Sequence, residues 1–255
     1  DQMSSSNTNS PHCMAADSWV VHKFGGSSVA DAECFERVAG ILEAQPQRRL
    51  GVVLSAFRGV TDALLRLVAL AEQQDERYQV EVQALRERHA TIAGALLSGQ
   101  AAALFLSAMD RDCHDIEGIL HTVQLTRSAA DNVRDLIAGY GEIWSTRLFH
   151  KYYESRTRRA GRTVWVDARR VVVVEWSSLG PAVQWRESQE NIERLVGADF
   201  EGTLIITGFI AANRKGVQTT LGRNGSDFSA SIFGALLGAA EIQIWTDVDG
   251  VLSAD

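Results

Sequence analysis

The sequence predicts an α/β protein whose largely parallel central sheet is sandwiched by helices and carries a helical insertion. Two patterns lead there. Apolar runs of strand length alternate with stretches whose apolar residues recur at helical spacing, mostly across short connections. Two glycine-rich turns, HKFGGSSVAD at residues 22–31 and TLGRNGSDFSA at residues 220–230, each stand between an apolar strand and a helix. A length of 255 residues accommodates one large domain plus an insertion.

Along the chain, residues 1–17 are rich in Ser and Asn and read as a disordered tail. Residues 19–24 make a first strand, and Val29, Phe35, Val38, Ile41 and Leu42 then follow helical spacing. Residues 50–54 make a second strand, succeeded by the loop SAFRGVT and a helix facing inward through Leu64, Leu65 and Val68. Thr61 and Asp62 occupy the places of an N-cap and a first-turn acid, so any functional role for Thr61 competes with capping. From residue 75 to about 155 the pattern is helical, with Val82, Leu85, His89, Ile92 and Leu96 on one stripe and Ile116, Ile119, Leu120 and Val123 on another. His89 lies among apolar positions, as a core histidine does. Strand patterns return at 163–167, 170–174, 203–212 and 217–221, the last two joined by a turn at 213–216. A helix over 226–237 and a strand over 242–245 come last. In a parallel sheet of this kind, ligands bind beyond the carboxyl ends of the strands.

Hydrophobic content of 45% with 22% charged residues is that of a soluble globular protein, and no run is long enough to be a membrane helix. With 25 basic against 32 acidic residues, net −7, nucleic acid is not an expected partner. Arg156, Arg158, Arg159 and Arg162 cluster at an expected helix end, where cations are favoured for structural reasons. Cys13, Cys34 and Cys113 are odd in number and widely spaced, which supports neither a disulfide framework nor a zinc site and suits the cytoplasm. His12 beside Cys13 has no further ligands near it in sequence. No set of carboxylates suggests a protein cage for Mg²⁺.

The two turns carry the chemistry. A strand ending in Gly-Gly lets the backbone approach an anion, and a following helix aims free N–H groups at it. In the first turn Lys23 supplies a mobile charge, Gly25 and Gly26 backbone donors, and Ser27 and Ser28 hydroxyls. Lys23 precedes its glycines, whereas a Walker loop places its lysine after them, so this is not a standard P-loop. Gly225 and Ser226 open the helix after the second turn, between Arg223 and Asp227.

Five strings, KFGGSSVAD, GYGEIWSTRLF (139–149), TGFIAANRKG (207–216), LGRNGSDFSA and IWTDVDGVLSAD (244–255), closely resemble the aspartokinases of the amino-acid kinase fold, in order and in register from about residue 22 onward. LGRNGSD and IWTDVDG look most like the kinase part of bifunctional aspartokinase–homoserine dehydrogenases. The resemblance implies ATP-dependent phosphorylation of the side-chain carboxylate of L-aspartate, opening lysine, threonine and methionine synthesis. Mg²⁺ would be carried with the ATP, and the full-length protein would be a homo-oligomer.

By the same resemblance Lys23 contacts the transferring phosphoryl group and Asp227 organises the phosphate region. Glu142 pairs with the substrate ammonium and Arg223 with its α-carboxylate, while Ser55 and Thr61 surround the side-chain carboxylate. Thr246 and Asp247 fall at the nucleotide. Read without the family, Glu142 is a solvated helix residue. Leu252 stands where relatives commonly carry an aromatic beside the nucleotide, and Ser27 where threonine is common. The family motif runs on past Asp255, so residues 18–255 are expected to be a kinase domain truncated at its nucleotide-binding end. The alternatives are a glutamate or acetylglutamate kinase, or a ligand-binding module without turnover.

Overall fold

The computed structural model describes residues 17–178, 180–222 and 224–246. In chain order the strands are Trp19–Phe24 (β1), Arg49–Leu54 (β2), Arg162–Val166 (β3), Val174–Ser177 (β4), Gly180–Val183 (β5), Gly202–Thr207 (β6), Ile210–Ala212 (β7), Gln218–Thr220 (β8) and Glu241–Trp245 (β9). The α-helices are Ala32–Glu43 (α1), Val60–Glu72 (α2), Arg77–Leu96 (α3), Gly99–Thr126 (α4), Asp131–Arg156 (α5), Trp185–Val196 (α6) and Gly225–Leu237 (α7), with 3-10 turns at Gly26–Val29 and Ala168–Arg170.

Five strands pair in parallel in the order β3–β6–β2–β1–β9. Alternation along them sorts the core into two layers. Val20 and Phe24 of β1, Leu50, Val52 and Leu54 of β2, and Ile205 of β6 pack with apolar residues of α1 to α5. Val21, Val53, Leu204 and Ile206 face the other way, onto Ile192 of α6 and Ile232 and Phe233 of α7. Lys23 shares the second face with Val21, so its side chain emerges beside α7. The register sets Phe24, Leu54, Thr207 and Trp245 level with one another, which brings the loops after β1, β2, β6 and β9 to one edge of the sheet.

The expected strands 19–24 and 50–54 and the closing helix and strand are found close to their sequence bounds. Elsewhere the structure corrects the reading. The first glycine-rich turn leads into a 3-10 turn, and α1 starts separately, with the Asp31 carboxylate accepting the Cys34 N–H at 2.8 Å as its N-cap. Residues 170–174 are not a strand, because a 3-10 turn capped by Asp167 occupies Ala168–Arg170 and β4 begins at Val174. The helical stretch 75–155 is three helices, the second ending where Arg127 adopts φ 55°. Residues 203–212 divide into β6 and β7 at Gly208–Phe209, and β8 pairs antiparallel with β7, off the main sheet.

Thr61 is not a cap. Gly59, with φ 79°, takes that place, and Thr61 lies within the first turn of α2. His89 is fully buried, as its stripe implied, stacked on Phe57 with ring centroids 4.6 Å apart. Burial pushes its pKa down to about 4. Of the basic cluster, Arg159 reaches across to the carbonyls of Leu42, Gln45 and Gln47 and so closes the C-terminal end of α1. Cys34 and Cys113 are buried free thiols.

Candidate functional site

The level strand ends create a cavity of about 370 Å³. Its floor is the first glycine-rich turn. Gly26 accepts the backbone N–H of Arg58 at 3.1 Å, and a Cβ at Gly26 would lie 3.0 Å from the Ala56 carbonyl oxygen, so only glycine lets the 55–61 loop settle on the turn. Ser55 is tied to β1 through its N–H to the Phe24 carbonyl at 3.1 Å.

Helix α5 forms the wall behind that loop. A Cβ at Gly141 would stand 2.7 Å from the Ala56 Cβ, so this glycine allows the loop to lie directly on the helix. Ser145 donates its hydroxyl to the Ser55 carbonyl at 2.7 Å. Glu142, between them, is 3% exposed. Its Oε1 accepts the Ala56 N–H at 3.2 Å, while Oε2 has no hydrogen-bond partner. Burial pushes this carboxyl up to about pKa 8, only partly offset by the Ala56 N–H, which favours its protonated form at neutral pH. The solvated glutamate expected from residues alone is thus a buried acid opening onto the cavity.

The second glycine-rich turn supplies the opposite wall. Asn224, at φ 58°, leads into α7 without side-chain capping, and Gly225 and Ser226 begin the helix at the cavity. Gly225 is required by packing, since a Cβ there would meet the Phe209 ring at 2.7 Å. Phe209 itself sits at φ 66°, a strained conformation for an aromatic residue, held by its N–H to Ser229 Oγ at 2.9 Å and its carbonyl to the Leu221 N–H at 2.7 Å. Asp227, in the first turn of α7, meets Lys23 with Oδ1 and Nζ 2.6 Å apart. The Lys23 side chain is 13% exposed, and this ion pair joins the two turns.

Lys23, Gly25, Gly26, Ser55, Thr61, Glu142, Gly225, Ser226 and Asp227 therefore border one cavity. Ser27, Ser28 and Thr246 do not. They border a neighbouring cavity of about 360 Å³ on the other side of the first turn, with Arg37 and Trp245. Arg223, Asp247 and Leu252 lie outside the described residues. Sequence reasoning missed Arg58, Ser145 and Phe209. Ser145 sits inside GYGEIWS and Arg58 inside SAFRGVT, but nothing in the pattern distinguished them from surface residues, and a positive φ at phenylalanine has no sequence signature. Among the described residues no group of three or more His, Cys, Asp or Glu is placed to hold a metal ion, and no helix is long and apolar enough to cross a membrane.

A cavity at the carboxyl edge of a parallel sheet, with a cation on one glycine-rich turn and a helix start on another, has the arrangement of groups that suits an anion in an α/β protein. The model of the amino acid kinase family matches residues 18–255, and the chain belongs to that family. It is 36% identical over 240 residues to the chloroplastic bifunctional aspartokinase/homoserine dehydrogenase 1 of Zea mays, an alignment covering 94% of this chain and 26% of that protein. With the bifunctional aspartokinase/homoserine dehydrogenase 2 of Escherichia coli strain K12 it shares 35% identity over 236 residues, 92% of this chain and 28% of that one. The structure of E. coli aspartokinase III in complex with aspartate and ADP, R-state, superposes with TM-score 0.77 at 30% identity, over 91% of this chain and 49% of that chain. The chain spans about a quarter of the length of the bifunctional relatives.

Proposed function

We propose that this chain is the catalytic part of an aspartokinase, transferring the terminal phosphoryl group of ATP to the side-chain carboxylate of L-aspartate in the synthesis of lysine, threonine and methionine. The observation that carries the reading is the placement in one cavity of a Lys23–Asp227 pair on the glycine-rich turns and a buried, half-satisfied Glu142 carboxyl. A phosphate suits the first and an ammonium the second. The likeness to aspartokinase III solved with aspartate and ADP supports the same pair of ligands.

In this reading an aspartate side-chain oxygen, already ionised and needing no base, attacks the terminal phosphorus as the bond to the ADP oxygen breaks. The protein's task is positioning and charge stabilisation. Lys23 meets the phosphoryl oxygens, and Asp227 aims Lys23. Gly25 and Gly26, with Gly225 and Ser226, present backbone donors to the phosphates. Ser55 and Thr61 hydroxyls flank the acceptor carboxylate, Glu142 takes the ammonium, and Arg223 the α-carboxylate. Ser27, Ser28 and Thr246 serve the nucleotide from the neighbouring cavity, and Asp247 is assigned to the nucleotide with them. Mg²⁺ enters as part of the nucleotide substrate, held by phosphate oxygens and water. The reading keeps a homo-oligomeric full-length protein, and the free thiols Cys34 and Cys113 suit a reducing compartment such as the cytoplasm.

Glu142 also favours an acceptor with a free amine over acetylglutamate, because only an ammonium gains an ion pair when this carboxyl ionises. The test is a coupled ADP-release assay of the natural full-length protein with aspartate, glutamate and acetylglutamate. Release with aspartate alone is expected. Equal or greater release with either of the others would overturn the substrate assignment.

A further inference from the structure

We propose that Arg58 is a further substrate-binding residue, one that closes on the terminal phosphate of the nucleotide. The inference rests on the kinase reading of the cavity and assigns a second cation to it.

Phosphoryl transfer to a carboxylate brings two anions together, which requires positive charge not already spent on a protein carboxylate. Among the described residues lining the cavity, the cations are Lys23 and Arg58. Lys23 is held by Asp227 at 2.6 Å, so the pair together contributes little net charge. Arg58 is exposed, and its guanidinium makes no ion pair or hydrogen bond with any described residue, even though Asp62 stands four residues further on. Several arginines elsewhere in the helical layer are ion-paired, as in Arg66–Glu81, Arg86–Asp110, Arg134–Glu72 and Arg147–Asp112. Arg58 is uncommitted and stands at the cavity.

Its backbone is fixed while its side chain is free. The Arg58 N–H is bonded to the Gly26 carbonyl at 3.1 Å, and its Cα lies 3.3 Å from where a Gly26 Cβ would be. The stem therefore starts on the phosphate turn. At the acceptor end Ser55, Thr61 and Glu142 already offer polar partners, whereas among the described lining residues the terminal phosphate is offered the paired lysine, backbone donors and the Ser226 hydroxyl. A guanidinium fork matches phosphate oxygens in bidentate fashion.

The experiment compares binding of ADP and of a non-hydrolysable ATP analogue, each with Mg²⁺, to the natural full-length protein and to its Arg58→Ala and Arg58→Lys variants. The proposal expects Arg58→Ala to lose about tenfold to a hundredfold in affinity for the ATP analogue, the range for a hydrogen bond to a charged group, with ADP unchanged. Arg58→Lys should recover part of the loss. Because ADP serves as the internal control, a misfolded variant cannot imitate this result. Equal weakening of both nucleotides, no change in either, or an effect confined to the KM for aspartate would each overturn the proposal. If the wild-type protein phosphorylates no aspartate yet Arg58→Ala still loses its preference for the triphosphate, the aspartate reading falls and the role of Arg58 stands.

Discussion

The two glycine-rich turns look alike in sequence and differ in how each is joined to its helix. After the second, Asn224 takes a left-handed conformation and α7 begins at once, uncapped by a side chain, with its first residues at the cavity. After the first, a four-residue 3-10 turn intervenes, and α1 starts away from the cavity under an Asp31 cap. Only the second turn therefore brings the positive end of an α-helix to the site. The first contributes a close backbone approach and the Lys23 charge. Lys23–Asp227 couples them, so a dipole from one segment and a cation from another, some 200 positions apart in the chain, meet at one cavity. Two turns of similar composition thus bring different physical means, a helix dipole and a side-chain cation, to one cavity.

The largest effect should come from the cation. Lys23→Ala is expected to lower kcat by about 10² or more, the range for removing one preorganised electrostatic donor, with a smaller change in ATP affinity. Steady-state kinetics with both substrates varied would check it. A collapse of nucleotide binding with normal turnover at saturation would show that the first turn binds rather than catalyses.

Next comes Glu142→Gln, which should raise the KM for aspartate by about thirtyfold or more, as loss of a desolvated charge pair costs about 2 kcal/mol or more. The wild-type carboxyl, pushed up to about pKa 8 by burial, must ionise to meet an ammonium. Aspartate binding at neutral pH should therefore release a proton, and affinity should rise with pH until about pH 8 and then level off. Calorimetry in buffers of different ionisation enthalpy measures the proton directly. For folding stability the sign is opposite. Glu142 binds its proton more tightly folded than unfolded, so its contribution to stability is full below the ordinary glutamate pKa and is lost as pH rises through about 8. His22 and His89, both lowered to about 4 chiefly by burial, act at the acid side, where their contribution is lost as pH falls from about 6.5 through about 4. Thermal melts should show a maximum between these limits, and Glu142→Gln should flatten only the alkaline slope.

Smaller again is the contrast between the first turn's own glycines. Gly26→Ala places a methyl 3.0 Å from the Ala56 carbonyl and should destabilise by about 1–3 kcal/mol while raising the KM for aspartate through the displaced 55–61 loop. Gly25→Ala meets only the flexible Lys23 Nζ, at 3.4 Å, and should be tolerated. The smallest effect is expected at Asp31→Ala, which should cost about 1 kcal/mol of stability for a lost N-cap and leave the KM for aspartate unchanged. A rise in that KM would mean that α1 reaches the cavity of Lys23 and Glu142 after all.

The sheet was legible because buried parallel strands read as short apolar runs, as in Trp19–Phe24, and because helical stripes such as Val82, Leu85, His89 and Ile92 bury one face. The glycine turns were legible because a strand-to-helix junction at an anion needs residues without a Cβ. Tertiary facts were not. Glu142 is buried because the 55–61 loop lies on α5 over Gly141, a contact between segments 86 positions apart. Thr61 loses the cap to Gly59 because a left-handed backbone angle, invisible in the pattern of hydroxyls, sets where α2 begins. The break at Phe209 depends on Ser229 and Leu221 holding a conformation that no local preference favours.

The central claim is that the two turns form one phosphate site through Lys23 and Asp227, and a double-mutant cycle tests it most directly. kcat would be measured for the natural full-length protein, Lys23→Ala, Asp227→Ala and the double variant. If Asp227 acts by aiming Lys23, the double variant should be about as slow as Lys23→Ala alone, giving a coupling of the size found for residues in direct contact, about 1–3 kcal/mol. Effects that simply add would mean that the two residues act independently and that the ion pair between the turns does not organise the site.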